Sequence, residues 1–204
     1  MDPVRKRPGM YIGGTGKPGL HHLLWEILDN AVDEATNGYA SQIDVILHKD
    51  GRSMTVSDNG RGIPVDKHPT KKIPTLEVIL TTLHAGAKFD NTSYVTSGGL
   101  HGVGASVVNA LSESLVATIK RDGATWEQHY ERGNPVTKLT KISRSSRGSG
   151  TTIFFRPDAD IFETVEFDAE WIAENLEIKT YLNGSLHILF RNEVTGSRQE
   201  FHHE

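Results

Sequence analysis

At 204 residues the chain is long enough for one well-filled domain or at most two small ones, and 36% hydrophobic with 24% charged residues suits a globular protein. A net charge of −4 argues against a dedicated nucleic-acid surface, and the lack of cysteine excludes a disulfide framework and a thiolate metal site. No apolar run approaches a membrane span and the first residues lack a signal-peptide core, so a cytoplasmic protein without membrane attachment is expected.

Residues 1–14 read as an irregular segment whose basic run Arg5, Lys6, Arg7 faces solvent or packs against the acidic helix that follows. That helix begins near Leu20 and stops around Asn37-Gly38. Leu24, Ile27, Leu28, Ala31 and Ala35 form one apolar stripe, while Glu26, Asn30, Asp33 and Asn37 fall opposite, with no basic residue between Trp25 and Asn37. By itself this is either a solvated acidic face or a helix presenting a carboxylate and an amide into a polar cavity.

Ile43, Val45 and Leu47, then Met54 and Val56, alternate on either side of Asp50-Gly51 and predict a hairpin. The second strand runs into Asp58-Asn59-Gly60-Arg61-Gly62-Ile63-Pro64, where glycines permit close approach of backbone to a ligand, or simply a tight turn. A helix over 75–83 carries Leu76, Ile79, Leu80 and Leu83 and ends at Gly86. The stretch 85–104 is polar, glycine-rich and aperiodic, the pattern of a functional lid or a disordered segment. It leads into a helix over 105–111, so its glycines make either an anion cradle or a plain hinge.

Residues 114–121 and 124–131 pair across Asp122-Gly123, 136–142 adds a strand, 143–150 is an exposed turn and 151–155 is a β-branched and aromatic strand. Asp168 caps a helix carrying Trp171, Ile172 and Leu176, which closes near Asn183-Gly184; a hairpin of 186–191 and 197–203 ends the chain. Strands outnumber helices and come as hairpins, and the expected class is an α+β sandwich with an antiparallel or mixed sheet.

The ten histidines include no pair at helical i, i+4 spacing, so a zinc site is not expected. There is no GxxxxGK[ST], the glycine-rich stretch does not follow a strand in a βαβ unit, and kinase signatures are missing. What remains is Glu26 with Asn30, Asp58-x-Gly60-x-Gly62, the cradle from Gly99 to Gly104, and Gly150-Thr151.

In that order these elements resemble the nucleotide-binding boxes of the gyrase, heat-shock chaperone, histidine kinase and mismatch-repair (GHKL) ATPase superfamily. The phrases Arg5-Lys-Arg-Pro-Gly-Met-Tyr-Ile-Gly13, Asp58-Asn-Gly-Arg-Gly-Ile-Pro64, Leu83-His-Ala-Gly86, Ser97-Gly-Gly-Leu-His-Gly-Val-Gly104 and Val107-Val-Asn-Ala-Leu111 are similar to those of the ATPase domain of type IIA topoisomerase B subunits, over essentially the whole chain. The resemblance implies an α+β fold, a two-layer α/β sandwich of the Bergerat (GHKL) type with a mixed, mostly antiparallel sheet and helices on one face, and one ATP-binding domain over 1–204.

It further implies that Glu26 is the general base for the water attacking the γ-phosphate and that Asn30 gives its amide oxygen to Mg²⁺. Asp58, assisted by Thr151, would accept a hydrogen bond from the adenine amino group, with Ile27, Ala31, Val56, Ile63 and Ile153 around the base. Glu34 belongs to the same ATP-binding set, and Arg61, Gly62 and Pro64 shape the pocket mouth, with Arg61 near the purine edge. Gly99, Leu100, His101, Gly102, Val103, Gly104 and Ala105 would wrap the phosphates under a lid carrying Lys88 and Tyr94, and Arg121 marks the outer rim reached by aminocoumarin-type inhibitors.

The family's N-terminal dimerisation arm and its transducer domain, with a γ-phosphate-sensing lysine, have no counterpart within these residues, so an excised, monomeric and slowly hydrolysing fragment is expected. The implied partners are ATP, a second copy of the subunit on ATP binding, and the topoisomerase A subunit and DNA through other regions. A nucleotide-gated dimerisation module without turnover is the competing reading, and a chaperone or mismatch-repair ATPase the alternative within the superfamily. Gyrase and topoisomerase IV are not separated by these motifs.

Overall fold

The computed structural model describes residues 1–83 and 104–204. In chain order they form α1 (Asp2–Lys6), α2 (Gly9–Ile12), α3 (Lys17–Thr36), β1 (Gln42–Leu47), β2 (Met54–Asp58), α4 (Thr75–Thr81) and α5 (Gly104–Ala110). Then follow β3 (Ser112–Arg121), β4 (Ala124–Glu131), β5 (Asn134–Pro135), β6 (Thr140–Ser143), β7 (Gly150–Pro157), α6 (Ala169–Leu182), β8 (His187–Asn192) and β9 (Ser197–Phe201). The strands make one sheet in the order β5-β4-β3-β7-β2-β1-β8-β9, with β6 also on β4. The β1–β8 pair is parallel and the other pairs among the described residues are antiparallel. The mixed, mostly antiparallel α+β architecture is the expected one.

Alternation along the strands decides which face is buried. Ile43, Val45 and Leu47 of β1, Val56 of β2, Leu115, Ala117 and Ile119 of β3, and Ile153 and Phe155 of β7 all point into one core cluster. Leu20, Leu23, Leu24, Ile27, Leu28 and Ala31 of α3 join them there. Burying a leucine or isoleucine of this kind stabilises by about 1.5–3 kcal/mol, so this face fixes α3 firmly across the sheet. All three expected hairpins form, with Val45 opposite Val56, Ile119 opposite Trp126 and Phe190 opposite Gln199.

Several local expectations are corrected. The N-terminal segment is helical rather than irregular: Pro3 suits the first turn of α1, and Val4 is fully buried. Of the two readings of its basic run, solvent exposure holds for Lys6 and Arg7, while Arg5 departs from both by reaching Ala110 O (2.8 Å) and Asp158 (2.9 Å). Helix α3 begins three residues earlier than the first leucine suggested, because Pro18 in its first turn follows Gly16 at the cap. The strand expected over 136–142 is broken: β5 closes at Pro135 and pairing resumes only at Thr140, where β6 begins. Helix α4 stops at Thr81, where Thr82 turns extended; Gly86 and the glycine-rich stretch up to 103 lie outside the described residues.

Candidate functional site

Strand β2 ends at Asp58 beneath α3, and the backbone that follows holds that carboxylate in place. Its Oδ1 accepts the N–H of Gly60 (2.8 Å) and of Thr151 (3.4 Å), while Thr151 Oγ1 accepts the N–H of Ile63 (3.1 Å). This tight crossing requires glycine at Gly62 and Gly150. At Gly62 φ is +80° and an added Cβ would lie 2.7 Å from Lys120 O; at Gly150 one would lie 2.0 Å from Asp58 O.

A cavity opens between α3, β2, β7 and the start of α5. Its walls are apolar: Ile27, Ala31, Val56, Ile63, Ala105 and Ile153. Its polar groups are Asn30, Asp58 and Thr151. Burial pushes the Asp58 carboxyl up to about 6, and the negative charge of Glu34 adds to the rise; the N–H bonds from Gly60 and Thr151 oppose it. A carboxylate with one oxygen fixed by backbone donors, in an otherwise apolar slot, is suited to accept a hydrogen bond from a flat heteroaromatic ligand.

Glu26 lies one helical turn before Asn30 and is only 4% exposed. Its Oε2 accepts the first N–H of α5, from Gly104, at 3.1 Å. Its Oε1 lies 3.2 Å from His22 Nε2, an ion-pair distance rather than an aligned hydrogen bond. His22 was missed in the sequence, although its i, i+4 spacing to Glu26 was there to find.

Glu34 does not line the cavity; it clamps Arg61. The Arg61 backbone N–H (2.9 Å), Nε (3.2 Å) and Nη2 (2.6 Å) all donate to the buried Glu34 carboxylate, and the guanidinium lies 3.8 Å from the Tyr39 ring centroid. Arg121 Nη1 donates to Gly62 O at 2.7 Å, pinning the same turn from β3. Arg61, Gly62 and Arg121 thus shape the turn that carries Ile63 into the cavity wall, with Pro64 half-buried behind it. Tyr39 gave no signal, since only the fold brings it to Arg61. Lys88, Tyr94, Gly99, Leu100, His101, Gly102 and Val103 lie outside the described residues, while Gly104 and Ala105 open α5. Among the described residues, no cluster of His, Asp and Glu could by itself hold a metal ion, and no helix is long and apolar enough to cross a membrane.

Residues 15–161 match the family described as histidine kinase-, DNA gyrase B-, and HSP90-like ATPase, and the chain belongs to that family of ATP-binding ATPase domains. Within it the similarity runs to gyrase. The DNA gyrase B subunit of Campylobacter jejuni is 51% identical over 204 residues, covering 100% of this chain and 26% of that protein. The mitochondrial DNA gyrase B subunit of Arabidopsis thaliana is 56% identical over 95% of this chain and 27% of its own length. The DNA topoisomerase 4 B subunit of Streptococcus pneumoniae is 52% identical over 100% and 32%. The 43K ATPase domain of Thermus thermophilus gyrase B, solved in complex with an aminocoumarin, superposes with a TM-score of 0.88 at 44% identity, covering 99% of this chain and 51% of that one. The chain spans about a quarter to a third of the length of the curated relatives it matches.

Proposed function

We propose that residues 1–204 form a single ATP-binding and ATP-hydrolysing domain of a type IIA topoisomerase B subunit. The observation that carries this reading is the apolar slot that holds Asp58 beside Asn30 of α3, together with Glu26, one turn earlier on that helix and bonded to the first N–H of α5. Asp58 Oδ1 is occupied by backbone donors, leaving Oδ2 to accept from the adenine amino group, a donor that guanine lacks at that position. Ile27, Ala31, Val56, Ile63 and Ile153 sandwich the base. Arg61, Gly62, Pro64 and Arg121 frame the mouth, and Glu34 serves nucleotide binding by fixing Arg61.

Glu26 is the general base. The γ-phosphate faces the first turn of α5, at Gly104 and Ala105, and phosphate-binding roles fall to Gly99, Leu100, His101, Gly102, Val103, Lys88 and Tyr94 on the family resemblance alone. Gly104 N–H and His22 hold the Glu26 carboxylate in one orientation, so that it takes a proton from the attacking water as the water oxygen bonds to the γ-phosphorus and the bond to the ADP oxygen breaks. His22 acts through Glu26 and is a positioning residue. The neutral amide oxygen of Asn30, lining the cavity one turn from Glu26, is the hard donor that suits Mg²⁺. Bound there, the ion would neutralise phosphate charge. In the longer protein, ATP binding drives dimer closure and DNA strand passage with the A subunit, in the cytoplasm.

The test separates binding from turnover in a chain extended to the length of its relatives. Glu26→Gln should abolish ATP hydrolysis while leaving the affinity for a non-hydrolysable analogue largely intact. Asp58→Ala should weaken that affinity by about 1.5–3 kcal/mol, the scale of a hydrogen bond to a charged group. Undiminished turnover in Glu26→Gln would overturn the base assignment. No turnover in the extended parent, with the analogue still promoting dimers, would favour the nucleotide-gated dimerisation module instead.

A further inference from the structure

Directly behind the adenine slot, on the sheet face turned away from the core, lies a second cavity of about 300 Å³. Sheet register builds it: Asp44, Ser57, Thr152 and Thr118 face one another in a row across β1, β2, β7 and β3, and Lys120 opposite Gly150 opens the next row. The Ser57 and Thr152 hydroxyls are 2.6 Å apart and form the floor. Over it comes the segment carrying Arg147, tied down where Ser149 Oγ donates to Gly60 O at 2.5 Å. Lys120 and Arg147 both line the cavity, and neither forms an ion pair among the described residues. Two carboxylates share the lining and accept only from neutral groups, Asp44 Oδ1 from Gln42 Nε2 at 2.9 Å and Asp58 Oδ1 from Gly60 and Thr151, so the anion belongs at the Lys120 and Arg147 end, away from Asp44 opposite Ser57. Asp44 also lies three strands from Lys120, about 14 Å at the ordinary strand spacing.

We propose that this cavity binds a small anion, a phosphate or carboxylate group, held between Lys120 and Arg147 and accepting one hydrogen bond from the Ser57–Thr152 pair, whose other hydroxyl proton bridges the two side chains. Two exposed cations lining one concave polar surface lose mutual repulsion when an anion enters, and the hydroxyl pair supplies a donor that a carboxylate or phosphate oxygen needs. This reading is independent of the role assigned to the adenine slot, although the two cavities share Asp58 and the Gly150 crossing.

The ¹⁵N-labelled 204-residue chain would be titrated with inorganic phosphate, and separately with malonate, at constant ionic strength and pH 7.5. Saturable shifts are expected at Lys120 and at Gly148, Ser149 and Gly150, and the Lys120→Gln/Arg147→Gln variant should bind at least tenfold more weakly with the rest of its spectrum unchanged. Saturation by phosphate but not malonate would identify a phosphate site, the reverse a carboxylate site, and saturation by both a general anion site. No saturable shift, an identical titration in the double variant, or shifts centred on Gly104 and Ala105 would each overturn the proposal.

Discussion

Asp58 shows how one burial decision links stability to recognition. Its carboxyl titrates at about 6 in the fold against 3.8 unfolded, so the native state binds the proton more tightly. Below pH 3.8 both states are neutral and nothing is lost. Between 3.8 and about 6 the unfolded chain ionises first, so stability falls as pH rises, by on the order of 3 kcal/mol once above 6. Asp58→Asn keeps an oxygen for Gly60 and Thr151, and should raise the denaturant midpoint at pH 7.5 but not at pH 3.5. An amino donor on Oδ2 favours the ionised form, so analogue binding at pH 6 should release protons. Calorimetry in two buffers of different ionisation enthalpy would show this as a buffer-dependent enthalpy, and Asp58→Asn should remove that part of it.

At the scale of elements, the site is held by junctions rather than by the elements themselves. The β2–β7 crossing has no room for a side chain at Gly150, so Gly150→Ala should cost about 1–3 kcal/mol in denaturant unfolding and also weaken nucleotide binding, by pushing Thr151 off Asp58. A second junction joins the first turns of α3 and α6. The buried His21 donates from Nδ1 to Lys17 O (2.8 Å) and accepts the Asp168 N–H at Nε2 (2.9 Å), while Asp168 caps α6 through Trp171 N–H and pairs with Lys17. Burial pushes the His21 pKa below 6.5, outweighing the Lys17 carbonyl and Asp168, which favour the charged ring. Both states are neutral well above 6.5; below it only the unfolded ring takes a proton readily, so this junction weakens as pH falls. Nitrogen-15 spectra should find the Nδ1–H tautomer persisting below pH 6.5. Asp168→Ala should lose about 1 kcal/mol for the cap, read from thermal or denaturant unfolding.

Over the whole molecule, one buried carboxylate ties the N-terminus to the far side of the fold. Asp158, fully buried, accepts from Arg5 on α1 and from Arg132 just past β4, and Arg5 also bonds the last carbonyl of α5. Burial alone would raise the Asp158 pKa, but the Asp160 N–H and the two guanidiniums together hold it below the usual range. Its contribution is therefore present above pH 3.8 and lost as pH falls through the lower folded value, the opposite sense to Asp58. Asp158→Asn should destabilise by about 1–3 kcal/mol at pH 7, a difference that narrows toward pH 2 in thermal unfolding.

The features legible in the sequence were local ones. The β1–β2 and β3–β4 hairpins follow from Asp-Gly turns between alternating strands, α3 from its apolar stripe, and the start of α6 from the Asp168 cap, since periodicity and turn chemistry act within a few residues. Of the cavity residues, Ile27 and Asn30 stand out by their places on the period of α3 and Asp58 by its place at a strand end before glycines, while the role of Thr151 comes from the resemblance; folding puts them in one wall because α3 crosses the ends of β2 and β7. The parallel β1–β8 pairing, made across a long stretch of chain, came instead from tertiary packing. The same holds for the helical N-terminus, whose short helices are marginal without Val4 buried and Arg5 anchored on Asp158. Glu34 makes the same point: on the sequence it is one more acid on an acidic helix, and its clamp on Arg61 exists only because the turn after β2 folds back against α3. Such contacts depend on which elements meet, and no local pattern encodes the meeting.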